Sequence, residues 1–204
     1  MLAGSARHDN ILIIGGGDGL ALRDVLQWQP KKVTLVDLDT ELLQIFENPH
    51  EKLPLDLADA KLYSVNFYAR LKQLLAGDGL IGIQSASPYH AKNAFIAIGK
   101  TVQAAGYSTV QQYHDNVPSF GEWGWTIANK MGAAPLTRLK ALTELPIPHH
   151  WLTLPLVTNA FEFSQDFYQD SDKVPINYLG SHAIYQLHQQ AWQDQQGLNN
   201  AHLQ

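Results

Sequence analysis

The first apolar run, Ile11-Leu-Ile-Ile14, stops at Gly15-Gly-Gly-Asp-Gly19 and gives way to a helical spacing at Leu20, Leu22, Val25 and Leu26. That pattern predicts a strand over 10–15, a tight turn and a helix over 19–28. Val33-Thr-Leu-Val36 predicts a second strand over 32–37, which runs into Asp37-Leu-Asp39 and a helix over 40–47. Residues 48–59 show no period. Leu62, Val65, Phe67, Tyr68, Leu71, Leu74 and Leu75 recur at helical spacing, so a helix is expected over 61–76, stopped by Ala76-Gly-Asp-Gly79. A strand over 80–85 leads through Ser87-Pro88 into a helix over 90–105, closed by Gly106. Strands near 108–114 and 123–129 follow. No crossover helix separates them, so they read as an antiparallel pair. Residues 131–180 are punctuated by proline and read as mostly irregular, and a last helix is expected over 181–195 before a Gln- and Asn-rich tail. No internal repeat is visible.

Strand and helix alternate, which predicts an α/β fold: a Rossmann-like, methyltransferase-type doubly wound sheet with an antiparallel edge pair. Residues 1–135 are expected to form a nucleoside-binding domain and residues 136–204 a C-terminal extension packed on it. The layout has a deficit. Between Asp37 and the helix at 61–76 there is one helix and an irregular stretch, where such a fold places further strands, including the one beside strand 10–15. The chain reads as short by about one βαβ unit, roughly 30 residues.

Composition narrows the field. The chain has 204 residues, 45% of them apolar, enough for a core of one domain. A net charge of −5 and the lack of a basic run argue against a nucleic-acid surface. Without cysteine there is no disulfide framework, thiolate metal site or cysteine nucleophile. No apolar run is long enough to span a bilayer, and no signal core opens the chain. A cytoplasmic protein is expected, as such or as the soluble domain of a membrane-associated one.

The glycine turn carries the chemistry. Glycines permit positive φ and leave no Cβ between the backbone and a ligand. An acid about 20 positions past the first glycine is where such folds hold ribose hydroxyls; here it is Asp37. The dinucleotide fingerprint is incomplete, because Leu20 stands at its third glycine position. A single nucleoside therefore fits better than a dinucleotide. Asp18 inside the turn would repel a pyrophosphate and hold a sulfonium or an amine.

These segments resemble the polyamine aminopropyltransferases, the spermidine synthase family, and among them the bacterial branch with a membrane-embedded N-terminal region. The resemblance rests on Ile11–Asp24, Val33–Asp39, Lys61–Tyr68, Gln84-Ser-Ala-Ser-Pro88, Asn116-Val-Pro-Ser-Phe-Gly-Glu-Trp-Gly124 and Asn177-Tyr-Leu-Gly-Ser181. It implies aminopropyl transfer from decarboxylated S-adenosylmethionine to putrescine or a similar diamine, giving spermidine and methylthioadenosine. The sulfonium nucleoside is then a co-substrate, and no further cofactor or metal is implied. The resemblance gives the nucleoside to Gly15, Gly16, Gly17, Asp18, Gly19 and Asp37. It puts Pro118-Ser119-Phe120 at the border of the amine site. Many relatives have tyrosine where Phe120 stands, so Phe120 brings no phenol hydroxyl. Gln84 ends a strand on the ligand side of the sheet and is a further candidate for the substrate pocket. A homodimer is compatible with the family.

Two expected parts of the family pattern are not found. One is a small N-terminal β-structure over the pocket. The other is an Asp-x-x-Asp-Pro strand end with the catalytic acid, preceded by an adenine-reading Gly-Asp. Glu47–Asp59 stands in their place, with Lys52 where the acid would lie. Asp56 of Asp56-Leu-Ala-Asp59 is the candidate catalytic acid, against the plainer reading that Asp56 and Asp59 cap a helix starting near Ala60. The segment is either truly deleted or left out. Two other functions stay open: a catalytically impaired nucleoside-binding or assembly module, and an S-adenosylmethionine-dependent methyltransferase. His149-His150 and the pair His182 and His188 do not have metal-ligand spacing, Ser87 lacks triad partners, and Trp123 and Trp125 read as packing residues.

Overall fold

A computed structural model describes residues 1–15, 19–36, 61–118 and 121–195. After a 3-10 turn at Leu2–Gly4 come β1 (Asn10–Ile14), α1 (Leu20–Leu26), β2 (Lys32–Val36), α2 (Val65–Leu74) and β3 (Leu80–Gln84). They are followed by α3 (Lys92–Ala104), β4 (Thr109–Val117), β5 (Gly121–Asn129), α4 (Pro135–Lys140), α5 (Leu154–Asn159), a 3-10 turn at Ser171–Lys173 and α6 (Ala183–Gln195).

β1 and β2 pair in parallel, from Asn10 opposite Lys32 to Ile14 opposite Val36, with α1 as the crossover. This is the βαβ unit the sequence predicts. β5 pairs antiparallel with both β3 and β4, so the second sheet has the order β3-β5-β4. The β4–β5 pair is the expected antiparallel edge, and it is longer than expected. Val117 pairs with Gly121, so only three residues connect the strands. Gly121 has φ +76°, the left-handed conformation that such a connection requires at its end.

One sequence expectation is corrected. A single sheet was expected, whereas the described strands form two, a pair and a trio. The division falls between β1 and β3, where the sequence analysis found a strand wanting. Among the described residues β1 pairs only with β2, and β3 only with β5. A central strand of a doubly wound sheet is apolar on both faces because helices cover both. β1 has that composition, yet Leu12 and Ile14 on one face are 48% and 40% exposed.

The main core lies around α3, which is buried from Ala94 to Gly99 and again at Thr101 and Val102. Phe95, Ile96 and Ile98 pack against Phe167, Val174 and Ile184. On another side Val102 meets Tyr68 of α2, Tyr107 and Ala128 of β5. The Tyr107 hydroxyl donates to Tyr68 O over 3.0 Å. α2 begins at Val65 rather than 61, because Ser64 caps it: its Oγ accepts from Phe67 N over 3.2 Å. Residues 131–180 hold more structure than expected. α4 and α5 are six residues each, too short to display a repeated apolar period. The helix expected at 40–47 and the irregular stretch at 48–59 lie outside the described residues.

Candidate active site

The parallel register of β1 and β2 brings the chain out of both strands at the same end. There Gly15 N donates to Val36 O over 2.7 Å. Gly15 has φ +81°, and Gly19, the N-cap of α1, has φ +75°. Gly19 O accepts from Arg23 N over 2.9 Å, the first turn of α1. A Cβ built on either glycine would meet nothing within 4 Å, so their conformation rather than crowding calls for glycine. Gly16, Gly17, Asp18, Asp37, Asp56 and Phe120 lie outside the described residues.

Gln84 and Pro118 belong to the other sheet. Gln84 is the last residue of β3, opposite Trp125 of β5. Its carbonyl accepts from the Tyr63 hydroxyl over 3.0 Å, and its side chain is exposed. Past Gln84 the pairing continues: Ser85 N donates to Gly124 O, and Gly124 N to Ala86 O, each over 2.8 Å. These bonds hold Ala86 at φ +65°, a conformation that costs an L-residue energy and often marks a functional turn. Ser87 turns the chain into α3, its Oγ accepting from His90 N over 3.2 Å. Pro118 is exposed where the chain leaves β4.

Gln84 borders a cavity of about 480 Å³ that also has Tyr63, Trp123, Tyr185, His188 and Trp192 in its wall. The sequence reading had Trp123 as a packing residue and set His188 aside only as a metal ligand; both line this cavity. Trp125 does pack, stacked on Tyr113 with ring centroids 5.5 Å apart and an interplanar angle of 17°. Burial, and then the Asp115 carboxylate, pushes the Tyr113 phenol well above its ordinary pKa, so it stays neutral.

Sequence reasoning missed the support beneath the Pro118 turn. His114 of β4 donates from Nδ1 to Glu122 Oε1 of β5 over 2.6 Å, and its Nε2 lies 2.9 Å from Glu162 O. The signal was present: a connection of three residues at 118–120 makes 114 and 122 diagonal neighbours on one face. Among the described residues no cluster of His, Asp and Glu could hold a metal ion, and no helix is long and apolar enough to cross a membrane.

The chain matches the spermine/spermidine synthase domain in two segments, residues 2–62 and 49–140. Polyamine aminopropyltransferase of Shewanella oneidensis is 44% identical over 249 positions, covering 97% of this chain and 43% of that protein. Polyamine aminopropyltransferase 1 of Streptomyces coelicolor is 38% identical over 175 positions, covering 66% of this chain and 33% of its own length. The chain thus spans less than half the length of these curated relatives. An alignment of 249 positions on a chain of 204 residues leaves at least 45 positions without a counterpart here. The two matched segments overlap at 49–62, so the passage from one to the other falls between β2 and α2. Among solved structures, spermidine synthase in complex with the transition state analogue AdoDATO superposes with a TM-score of 0.66 at 17% identity, covering 84% of this chain and 71% of that one. Spermidine synthase from Thermotoga maritima gives 0.65 at 17% identity, over 85% and 71%. The fold is theirs.

Proposed function

The chain belongs to the spermine/spermidine synthase family, and from that premise we propose that it carries the site for aminopropyl transfer from decarboxylated S-adenosylmethionine to a diamine such as putrescine. The observation that carries this reading is the β1–α1–β2 unit. Gly15, in the left-handed conformation, and the end of β2 stand at the same end of a parallel pair, Gly19 is left-handed at the start of α1, and an acid follows β2 directly in the sequence. In this reading Asp37 takes the ribose hydroxyls, Asp18 faces the cationic aminopropyl arm, and the backbone of Gly15–Gly19 leaves room for the nucleoside.

The chemistry is a displacement at carbon. The acceptor amine gives up a proton, and its nitrogen forms a bond to the methylene beside the sulfonium. The carbon–sulfur bond breaks, and methylthioadenosine leaves with the electron pair. A sulfonium is a good leaving group, so the reaction needs a positioned base and no metal. Asp56 is the candidate base. Gln84, Pro118 and Phe120 border the amine. The protein acts on small molecules in the cytoplasm, as such or as a soluble part of a membrane-associated protein.

A second reading has an observation of its own. The described strands form two sheets, and the Shewanella oneidensis relative has at least 45 further positions along the aligned length, which favours a nucleoside-binding module with impaired chemistry. The test is to supply putrescine with decarboxylated S-adenosylmethionine and follow spermidine and methylthioadenosine by mass spectrometry, with S-adenosylmethionine in a parallel sample. Aminopropylated product is expected. Methylated product from the parallel sample would overturn the proposal, and nucleoside binding without any product would establish the second reading.

A further inference from the structure

The segment Asn177-Tyr-Leu-Gly-Ser181 has no part in the chemistry above, yet Asn177 is fully buried and heavily bonded. Its backbone N donates to Thr101 Oγ1 on α3, and its O accepts from Val65 N, both over 3.0 Å. Its Nδ2 donates to Tyr63 O over 3.0 Å. Its Oδ1 accepts from Ser181 Oγ over 2.8 Å and from Ala183 N, the first residue of α6, over 2.9 Å. One side chain thus fixes the start of α6 against Tyr63, and these are the two walls of the cavity at Gln84.

α6 carries two stripes. Ile184 and Leu187 pack into the core around α3. Tyr185, His188 and Trp192, at positions i, i+3 and i+7, line the cavity, which Ile184 also reaches from the core side. Gln189 Nε2 donates to the Tyr185 hydroxyl over 2.6 Å and sets that ring. Trp192 is 58% exposed, so its indole stands at the rim with much of its surface unburied. Tyr63 and Trp123 face it from the other side, and among the described residues no Lys, Arg, Asp or Glu lines the space. The volume, about 480 Å³, is within the range of small-ligand pockets.

We infer that α6 is the selecting wall of the amine site: this aromatic cavity takes the alkylammonium chain of the acceptor, reading its length. The inference rests on the function proposed above. Aromatic faces attract ammonium groups and pack against methylenes, and the two glutamine amides, Gln84 and Gln189, offer carbonyl acceptors. Among the described residues the wall offers an anionic ligand no Lys or Arg. The match to the family domain ends at residue 140, whereas α6 begins at Ala183. The wall is therefore built outside the matched domain, against Gln84 within it.

The test uses the 204-residue chain and its tryptophan fluorescence, titrated with 1,4-diaminobutane, 1,6-diaminohexane and uncharged 1,4-butanediol. Diamines should bind and the diol should not. Trp192→Ala alters an exposed side chain and should weaken diamine binding about three- to tenfold, the scale of one cation–π contact, and flatten the preference between the two chain lengths. Trp192→Phe should restore most of the affinity. Methylthioadenosine affinity should be unchanged in both variants, because the glycine turn lies on the other sheet. Diamine affinity and length preference unaffected by both Trp192→Ala and Tyr185→Ala would overturn the inference, as would equal binding of the diol. A wild-type chain that binds methylthioadenosine and no diamine also overturns it, while leaving the nucleoside site standing. Binding of neither ligand removes the proposed function as well.

Discussion

His114 and Glu122 meet across the β4–β5 hairpin, Nδ1 to Oε1 over 2.6 Å, eight residues apart in sequence and one diagonal step apart in the sheet. Their side chains are only 15% and 29% exposed. The same imidazole reaches Glu162 O, and His114 N donates to Ala160 O over 2.9 Å. The hairpin that carries Pro118 is thereby pinned both to itself and to the chain following α5. A turn bordering a substrate is useful only if its base is held, and this histidine holds it from two sides.

His114→Ala is expected to destabilise the fold by about 1.5–3 kcal/mol, the range for a hydrogen bond to a charged group. Glu122→Gln keeps an acceptor at the same place and should cost less. Urea unfolding measures both. Hydrogen exchange at 115–117 and 121 should quicken in His114→Ala. A loss near zero would mean that the pair contributes no more than an exposed ion pair does.

Gly124→Ala should be among the more damaging single-methyl additions on β5. A Cβ there would lie 2.4 Å and 2.6 Å from Phe95 ring atoms and 2.9 Å from Ala86 O. Phe95 is fully buried and cannot swing aside. Overpacking of this kind costs about 1–3 kcal/mol. The displaced Ala86 carbonyl would carry Gln84 with it, so diamine affinity should fall along with stability. Wild-type melting behaviour in Gly124→Ala would contradict the tight contact.

The repeated local patterns were legible in the sequence; the distant pairings were not. β1, α1 and β2 could be read because a glycine turn between two apolar runs leaves few alternatives, and their parallel pairing follows from the crossover helix. The antiparallel β4–β5 pair followed from the short connection. The wall formed by Tyr185, His188 and Trp192 was not legible, since its meaning depends on Asn177 bonding to Tyr63, 114 residues earlier. No periodicity reports such a bond. The division of the sheet was half legible: the sequence showed a strand wanting beside β1, but not that the remaining strands form separate sheets.

Asp37→Ala should weaken methylthioadenosine binding by about 1.5–3 kcal/mol if the carboxylate holds ribose hydroxyls. Gly15→Ala should act differently. Its φ of +81° is unfavourable for alanine, which costs about 1–2 kcal/mol of stability, and the new methyl stands in open space at the turn. Calorimetry on both variants separates a lost contact from a strained turn. Unchanged affinity in Asp37→Ala would rule out the ribose role.

Restoring the absent positions should join the two sheets. In this chain β1 has a partner on one side only among the described residues, and Leu12 and Ile14 stay about half exposed. The relative from Shewanella oneidensis has at least 45 positions more along the aligned length, and the two segments of the domain match overlap at 49–62. Grafting those positions between Asn48 and Leu55 should supply a strand beside β1 and a cover for its bare face. Each apolar side chain fully buried contributes about 1.5–3 kcal/mol, so completing the burial of Leu12 and Ile14 alone should raise the urea midpoint measurably. Outward amides of β1 and β3 should gain protection from hydrogen exchange. Catalysis should follow the fold: a positioned base is worth about 10²–10⁴-fold, so the 204-residue chain is expected to turn over putrescine poorly and the grafted one well. Robust turnover by the short chain, abolished in Asp56→Asn, would reverse this and make the Asp56 carboxylate the working base.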